Sequence, residues 1–336
     1  MTNQAPRRAD AHTGDDVSAP PPRAAESVLL LRLINLLAVV IPILGVIAAT
    51  VLLWGVAFNW VYLAILGGMY LASAIGITVG YHRLFTHRSF KTSGVVRGAL
   101  AILGSTAVEG PVLQWVATHR KHHQHSDRAD DPHSPHTHGD GVVGTIRGLF
   151  HAHVGWIIAC KSFRSVRDGF STVPEGLTRY MKDFEDDRLC RFISKTFPLW
   201  AFAGLLFPAL VGGLATMSWT GALLGFIWGG LVRVFLLHHV TWSINSVCHI
   251  WGTRPFESHD ESRNNAIFGV LALGEGWHNN HHAFPTSARH GLRWWEVDAS
   301  YLLIVAMSKV GLASDVRVPS SARLEAKRKA ASDQAG

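Results

Sequence analysis

Histidine is the abnormal count in this chain: twenty in 336 residues, eighteen of them between His82 and His282. Two stretches share the pattern H-x-x-H-H, at His119-Arg120-Lys121-His122-His123 and His278-Asn279-Asn280-His281-His282, and a third carries His82 and His87. Each residue of an α-helix turns the chain by about 100°, so i and i+4 differ by roughly 40° and i and i+3 by roughly 60°. On that geometry His119 and His123 share one metal while His122 reaches a second. His278 and His282 pair in the same way, with His281 splayed to the other side. His82 and His87 lie about 140° apart on an ideal helix, which predicts one imidazole on each of two neighbouring metals. A lone histidine is most often a satisfied polar residue; eight at matching spacings predict a dinuclear centre. His125, His133, His136, His138, His151 and His153 lack the repeated spacing and are assigned to hydrogen bonding or the surface.

Imidazole suits zinc, copper, iron and nickel alike. There is no H-E-x-x-H, which argues against a zinc protease. Glu275-Gly276-Trp277-His278 offers the Glu-x-x-His of soluble carboxylate-bridged bundles only once. A histidine-rich pair of sites beside apolar runs points instead to iron and oxygen chemistry.

The elements that must position these histidines are apolar. Of the chain, 48% is hydrophobic and only 16% charged, below the usual quarter for a soluble domain. Four runs are long enough to span a bilayer, at about 33–54, 60–80, 197–217 and 221–241. The first three lack any charge; the fourth contains Arg233, whose guanidinium is expected near the far interface, snorkelling to the headgroups. The joints between paired runs, Gly55–Asn59 and Ser218–Thr220, hold no Lys or Arg. The positive-inside rule then puts both termini and the metal site in the cytoplasm, at a cell membrane crossed several times. The expected fold is an all-α integral membrane protein: four transmembrane helices in two hairpins carrying a helical cytosolic cap with the metal site. Residues 29–316 form the domain. Residues 1–28 read as a disordered cytosolic tail rather than a secretory signal, and 317–336 as a polar basic tail. Cys160, Cys190 and Cys248 lie too far apart to suggest a disulfide framework or zinc ribbon. The net charge of +7 comes without a stripe of basic and aromatic residues, so lipid headgroups or an acidic partner account for it and nucleic acid does not.

With these motifs on the page, the chain resembles the membrane fatty acid desaturases, of the acyl-CoA delta-9 (stearoyl-CoA) type found also in bacteria. The resemblance covers about residues 30–300. It rests on G-x-x-x-G-Y-H-R-L-F-T-H-R-S-F at 76–90 and W-x-x-x-H-R-K-H-H at 115–123, followed by Ser126-Asp127, Asp131-Pro132-His133 and His153-Val154-Gly155-Trp156. T-W-x-x-N-S-x-x-H at 241–249 and G-E-G-W-H-N-N-H-H at 274–282 complete it. The resemblance implies a ninth ligand, His249, and Asn245 acting through water. It implies that His82, His119, His123 and His281 hold one iron with that water, and that His87, His122, His249, His278 and His282 hold the other. It further implies that Glu109, Trp115, Thr241 and Trp242 shape a kinked acyl tunnel and that Tyr70 and Ala74 close its far end. There are departures. Ala117 and Thr118 stand where animal enzymes have an Arg-Asp pair touching CoA, Glu109 replaces a glutamine and Asn280 a tyrosine. The stretch from Phe284-Pro285 to His290-Gly291 is similar to bacterial and acyl-lipid relatives.

The implied reaction is oxygen-dependent insertion of a cis double bond, at delta-9, into a saturated long-chain acyl group such as stearoyl-CoA. Two ferrous ions would serve, with O2 as co-substrate. The chain has no G-x-G-x-x-G, no cysteine cluster and no haem segment, so two electrons must come from a separate ferredoxin-like or flavin reductase partner. The alternatives are an acyl-lipid desaturase acting on membrane glycerolipid, a membrane lipid hydroxylase and, outside enzymes, a metal transport or storage protein. Transport would want polar ligands inside the spans, whereas these histidines sit at the spans' ends.

Overall fold

The computed structural model describes residues 22–53, 59–158 and 176–328. Every regular element among them is helical; extended pairing is limited to isolated bridges such as Thr253 with Asn264. Four helices are long and apolar enough to cross a membrane: Arg32–Val51, Trp60–Thr86, Phe197–Thr216 and Trp219–His249. The first lies within α1 (Pro22–Leu53). That helix begins before residue 29, inside the stretch assigned to a disordered tail. Pro22 at its start has the φ a first helical residue needs, and Ala24, Ala25 and Glu26 are good helix formers. Residues 1–21 lie outside the described residues.

The second and fourth spans run for 27 and 31 residues. At 1.5 Å per residue these are roughly 40 and 46 Å, against about 30 Å of hydrocarbon, so both continue out of the bilayer. Those extensions carry the histidines. The second span is α2 (Trp60–Ile75), wound on as a π-helix over Gly76–Thr86. Asn59 starts it by accepting a hydrogen bond from the Val61 amide at 2.8 Å. After α3 (Gly94–Ser105) and α4 (Val112–His125) come α5 (Gly141–Phe150), a π-turn His151–Gly155 and the short α6 (Trp156–Ile158). Then α7 (Arg188–Lys195) leads into α8 (Phe197–Thr216), the third span. The fourth joins α9 (Trp219–Gly225), a π-segment Phe226–Val232 and α10 (Arg233–Ser246). Four short helices finish the cap: α11 (Ala266–Leu271), α12 (His278–Ala283), α13 (Ala299–Lys309) and α14 (Ser321–Lys327).

The hairpin of α8 and α9 closes on glycine. Gly221 and Gly225, four residues apart, meet Gly212 so tightly that a Cβ on Gly212 would fall 2.3 Å from the Gly221 carbonyl oxygen. In lipid, where hydrophobic burial gives helices no reason to associate, such close backbone packing supplies the attraction.

Arg233 overturns its expected place. It does not reach headgroups but is fully buried, donating through Nε to the Gly229 carbonyl at 3.1 Å and through Nη2 to Gly204 at 2.8 Å. Its Nη1 donates to the carbonyl of Thr106, at the end of α3. Pro208 has no N–H, so the Gly204 carbonyl four residues earlier has lost its helical partner. A backbone carbonyl unpaired in hydrocarbon is costly, and the guanidinium fork satisfies this one together with the end of α3. Arg233→Met should therefore destabilise the protein by roughly 1–3 kcal/mol for each carbonyl left unpaired, read as a lowered melting temperature in detergent micelles.

Candidate metal centre

The first histidine pair sits on the π-helical end of the second span. The His87 amide bonds to the His82 carbonyl at 3.1 Å, and the Thr86 hydroxyl to the Tyr81 carbonyl at 2.8 Å, both five residues back. An i→i+5 bond stacks residue i+5 over residue i, so His82 and His87 point the same way. The winding thus brings the two rings to 4.8 Å, closer than an ideal α-helix would, and His87 falls in the same group of side chains as His82. Arg120 in the second box fixes the segment by donating to the carbonyls of Phe85 (3.0 Å) and Thr86 (3.1 Å).

His119, His122 and His123 occupy the last turns of α4, and α12 carries His278, His281 and His282. Asn279 and Asn280 orient α12. Asn279 exchanges hydrogen bonds with the Phe256 backbone at 2.9 and 3.1 Å, and Asn280 donates to the His290 carbonyl and to Glu296, both at 2.8 Å. The tyrosine-to-asparagine departure at 280 is thus a buried anchor. His249 ends the fourth span.

These elements gather nine imidazoles into two clusters: His82, His87, His119, His123 and His281 in one, His122, His249, His278 and His282 in the other. In each, the ligand atoms lie within 4.8 Å of one another. Both H-x-x-H-H boxes split as helix geometry predicts. The Nε2 atoms converge: His82 on His281 at 3.0 Å, His281 on His123 at 2.9 Å, His123 on His119 at 3.0 Å and His249 on His278 at 3.0 Å. The Nε2 atoms of His87, His122 and His282 are buried with no hydrogen-bond partner.

Carboxylates settle which nitrogen faces inward. His82 Nδ1 lies 2.6 Å from Glu275, His122 Nδ1 3.0 Å from Asp131, His249 Nδ1 2.9 Å from Asp127 and His282 Nδ1 2.5 Å from Asp260. Each Nδ1–H is held by its acid, leaving the Nε2 lone pair for a metal. Burial, reinforced by neighbouring imidazoles, holds His87, His119, His123, His278 and His281 well below the ordinary histidine range, so they are neutral as ligands must be. Burial also brings His282 to about 4, against the opposing pull of Asp260. For Asp127, Asp131, Asp260 and Glu275 burial acts to raise the pKa, but the facing histidines, and Arg83 for Glu275, outweigh it and keep them ionised. Four outer carboxylates balance the charge of two divalent cations. A pair of metals fits this donor set.

Several of these supports escaped the sequence. Glu275 was weighed only as a ligand, and Asp260, His290, Arg83 and Asp298 gave no signal. Arg83 is fully buried between Glu275 and Asp298, each at 3.0 Å, and His290 stands 3.2 Å from Glu275. Of the other histidines, His136 bonds to the His249 carbonyl at 2.9 Å and His153 to Ser246 and His239 at 3.0 and 2.9 Å, while His133 packs against His122 with centroids 4.4 Å apart.

A cavity of about 280 Å³ adjoins the clusters, with His82, His119 and His278 in its wall. Ala74, Glu109, Trp115, Thr241, Trp242 and Asn245 also line it. Tyr70 is not among the lining residues; its hydroxyl donates to the Leu271 carbonyl at 2.8 Å. Trp115 stacks on His119 with centroids 4.9 Å apart and donates to Glu109 at 3.1 Å. Burial pushes the Glu109 carboxyl up to about 7, opposed by hydrogen bonds to it. It stays protonated in the fold well above its unfolded pKa, so the stability its neutral form confers is full below that value and lost as pH rises through about 7. Glu109→Gln keeps the shape without the charge. Between about pH 4.5 and 7 the wild type should lose thermal stability relative to the variant, and above about 7 the difference should level off, in parallel melting curves.

Two imidazole clusters able to hold metal, beside an apolar cavity on membrane helices, agree with sequence comparison. The pattern described as Fatty acid desaturase matches residues 58–304. The chain is 43% identical over 291 residues to a hex-5-enoyl-[acyl-carrier protein] acetylenase of Moorena producens, covering 86% of this chain and 87% of that one. It is 36% identical to an sn-1 stearoyl-lipid 9-desaturase of Anabaena variabilis (78% and 86% covered) and 35% identical to an acyl-CoA C20 delta5-desaturase of Anemone leveillei (78% and 76%). The names of these relatives span three acyl carriers, so similarity does not single out the acyl-CoA delta-9 type. At the level where motifs, fold and comparisons coincide, the chain belongs to the fatty acid desaturase family.

Proposed function

We propose that this protein is an oxygen-dependent desaturase that inserts a cis double bond, at delta-9, into a saturated long-chain acyl group such as stearoyl, using two irons and two electrons from a separate ferredoxin-like or flavin reductase partner. The observation that carries this is the contact between a largely apolar cavity and both histidine clusters. An unactivated methylene pair yields to no acid or base. When bound, the iron pair supplies the reduction of O2 that makes a sufficient oxidant. The chain's own part is placement. Trp115, locked by Glu109 and stacked on His119, and Trp242 with Thr241 bound the acyl chain where it passes the clusters, so position decides which carbons react. The carboxylates fix the imidazole tautomers, and the buried walls keep bulk water away. The metal side and both termini face the cytoplasm in this reading, where the reductant is.

Expression in a desaturase-deficient host fed stearate, with metal analysis and double-bond mapping by mass spectrometry, tests this. Iron with a new C9 double bond is expected; hydroxylated product, or metal without oxidation, would reject it. The acetylenase relative favours a second arm, feeding a monounsaturated chain and looking for a triple bond.

Ala74, buried and on the cavity wall, sets the chain-length prediction. Ala74→Ile fills space meant for terminal methylenes. Overfilling costs about 1–3 kcal/mol, or roughly tenfold to hundredfold in preference. A competition between saturated chains should shift from eighteen carbons towards shorter ones, with the double bond unmoved from the carboxyl end.

A further inference from the structure

The cavity wall is uneven. On one side it is a single helix. Ile34, Asn35, Ala38 and Val39 of α1 line it, at the spacing of one helical face. Their neighbours Leu33, Leu36 and Leu37 are exposed, so α1 alone stands between the cavity and lipid. Its span is the least buried of the four, at 17% against 28–56%. Next to it α6 contributes Trp156 and Ile157. One hydrogen bond joins the two walls across 122 residues of sequence: the Asn35 side-chain amide donates to the Ile157 carbonyl at 2.8 Å.

We propose that acyl chains pass between bilayer and cavity through a portal at α1 and α6, and that Asn35 is both its latch and the donor that receives the carbonyl oxygen of the incoming acyl ester. This rests on the desaturase reading above. Three observations converge on it. Asn35 is an uncharged polar side chain near the end of a span that both faces the cavity and bridges its two walls. It stands three residues from Arg32 at the span's end, roughly 4.5 Å along the axis. α1 and α2 run antiparallel, so this is the end that carries His82, and it lies at the interfacial depth of lipid ester groups. α5, which leads into α6, is amphipathic with Val142, Val143, Ile146 and Phe150 exposed on its apolar side, as a helix lying in the interface would be. A carbonyl oxygen can replace the Ile157 oxygen on the same Asn35 N–H, so opening the latch leaves no donor unpaired.

The test uses the full chain in phospholipid vesicles, in a Cys160→Ser background, with Asn35→Cys and Ile157→Cys joined by a short reducible thiol cross-linker. Single-cysteine variants control for folding. One readout is the immobilised spectral fraction of a spin-labelled stearoyl phospholipid, which needs no turnover; the other is desaturation of saturated vesicle lipid. Cross-linking should abolish the immobilised fraction and cut turnover at least about tenfold, and reductant should restore both. Asn35→Leu should raise KM for vesicle substrate by about tenfold with kcat little changed, and Asn35→Gln should recover part of it. An unaltered immobilised fraction after cross-linking, or an unaltered KM in Asn35→Leu, overturns the portal. Immobilised label without any oxidised product would instead reject the desaturase reading and leave the portal standing.

Discussion

His123→Ala and His282→Ala should each abolish desaturation and lower bound metal, while the protein still inserts into membranes. The two residues sit at equivalent positions of their boxes but in different clusters, with rings stacked 4.4 Å apart across the interface between them. On the proposed two-iron reading, losing one ligand from either the five-imidazole or the four-imidazole cluster disables the centre. The spans lie elsewhere in the chain and keep their apolar faces. Metal-to-protein ratios beside product analysis check this. Full activity in either variant would remove the two-cluster assignment. His136, whose ring bonds to the His249 carbonyl, should tolerate alanine with metal content retained.

The second large effect lies one shell out. Asp260→Asn replaces the acid that holds His282 Nδ1–H at 2.5 Å and itself accepts from the Ser262 amide at 3.1 Å. An amide of the same shape can present its N–H to the ring, which turns the lone pair of His282 outward and its proton towards the metal. Loss of such a support typically costs about tenfold to hundredfold in metal affinity or activity. A chelator competition should show the deficit at every substrate concentration, because the fault is in metal retention. Wild-type affinity in the variant would mean that α12 alone orients His282.

The two H-x-x-H-H boxes were legible because their geometry is local: three and four residues along one α-helix decide which imidazoles share a sector. The long spans were legible for the same reason, since length and lack of charge suffice. His87 was not, because five residues mean opposite faces on one winding and the same face on another, and nothing in the spacing names the winding. Asp260 was not, because it meets His282 across 22 residues of sequence. Arg233 shows a third kind of miss. Its distance along the helix was readable, but its purpose depends on a proline in a different span that leaves a carbonyl unpaired.

The π-helical end of the second span makes the histidine site sensitive to changes in chain length. The i→i+5 winding over Gly76–Thr86 is one residue longer per turn than its surroundings require. Deleting one residue between 83 and 86 would let it relax towards ordinary α-helix, but at the cost of the core contacts of Leu84 and Phe85 or the ion pairs of Arg83. His87 would then advance to the place of its predecessor and stand four residues from His82, still near its sector, but Arg120 would lose the two carbonyls it holds. An inserted residue would instead swing His87 by about 100° away from the cluster. Among chains of this family, then, a gap or an extra residue between the two histidines of the first box is the change that best distinguishes a working centre from a relic of one.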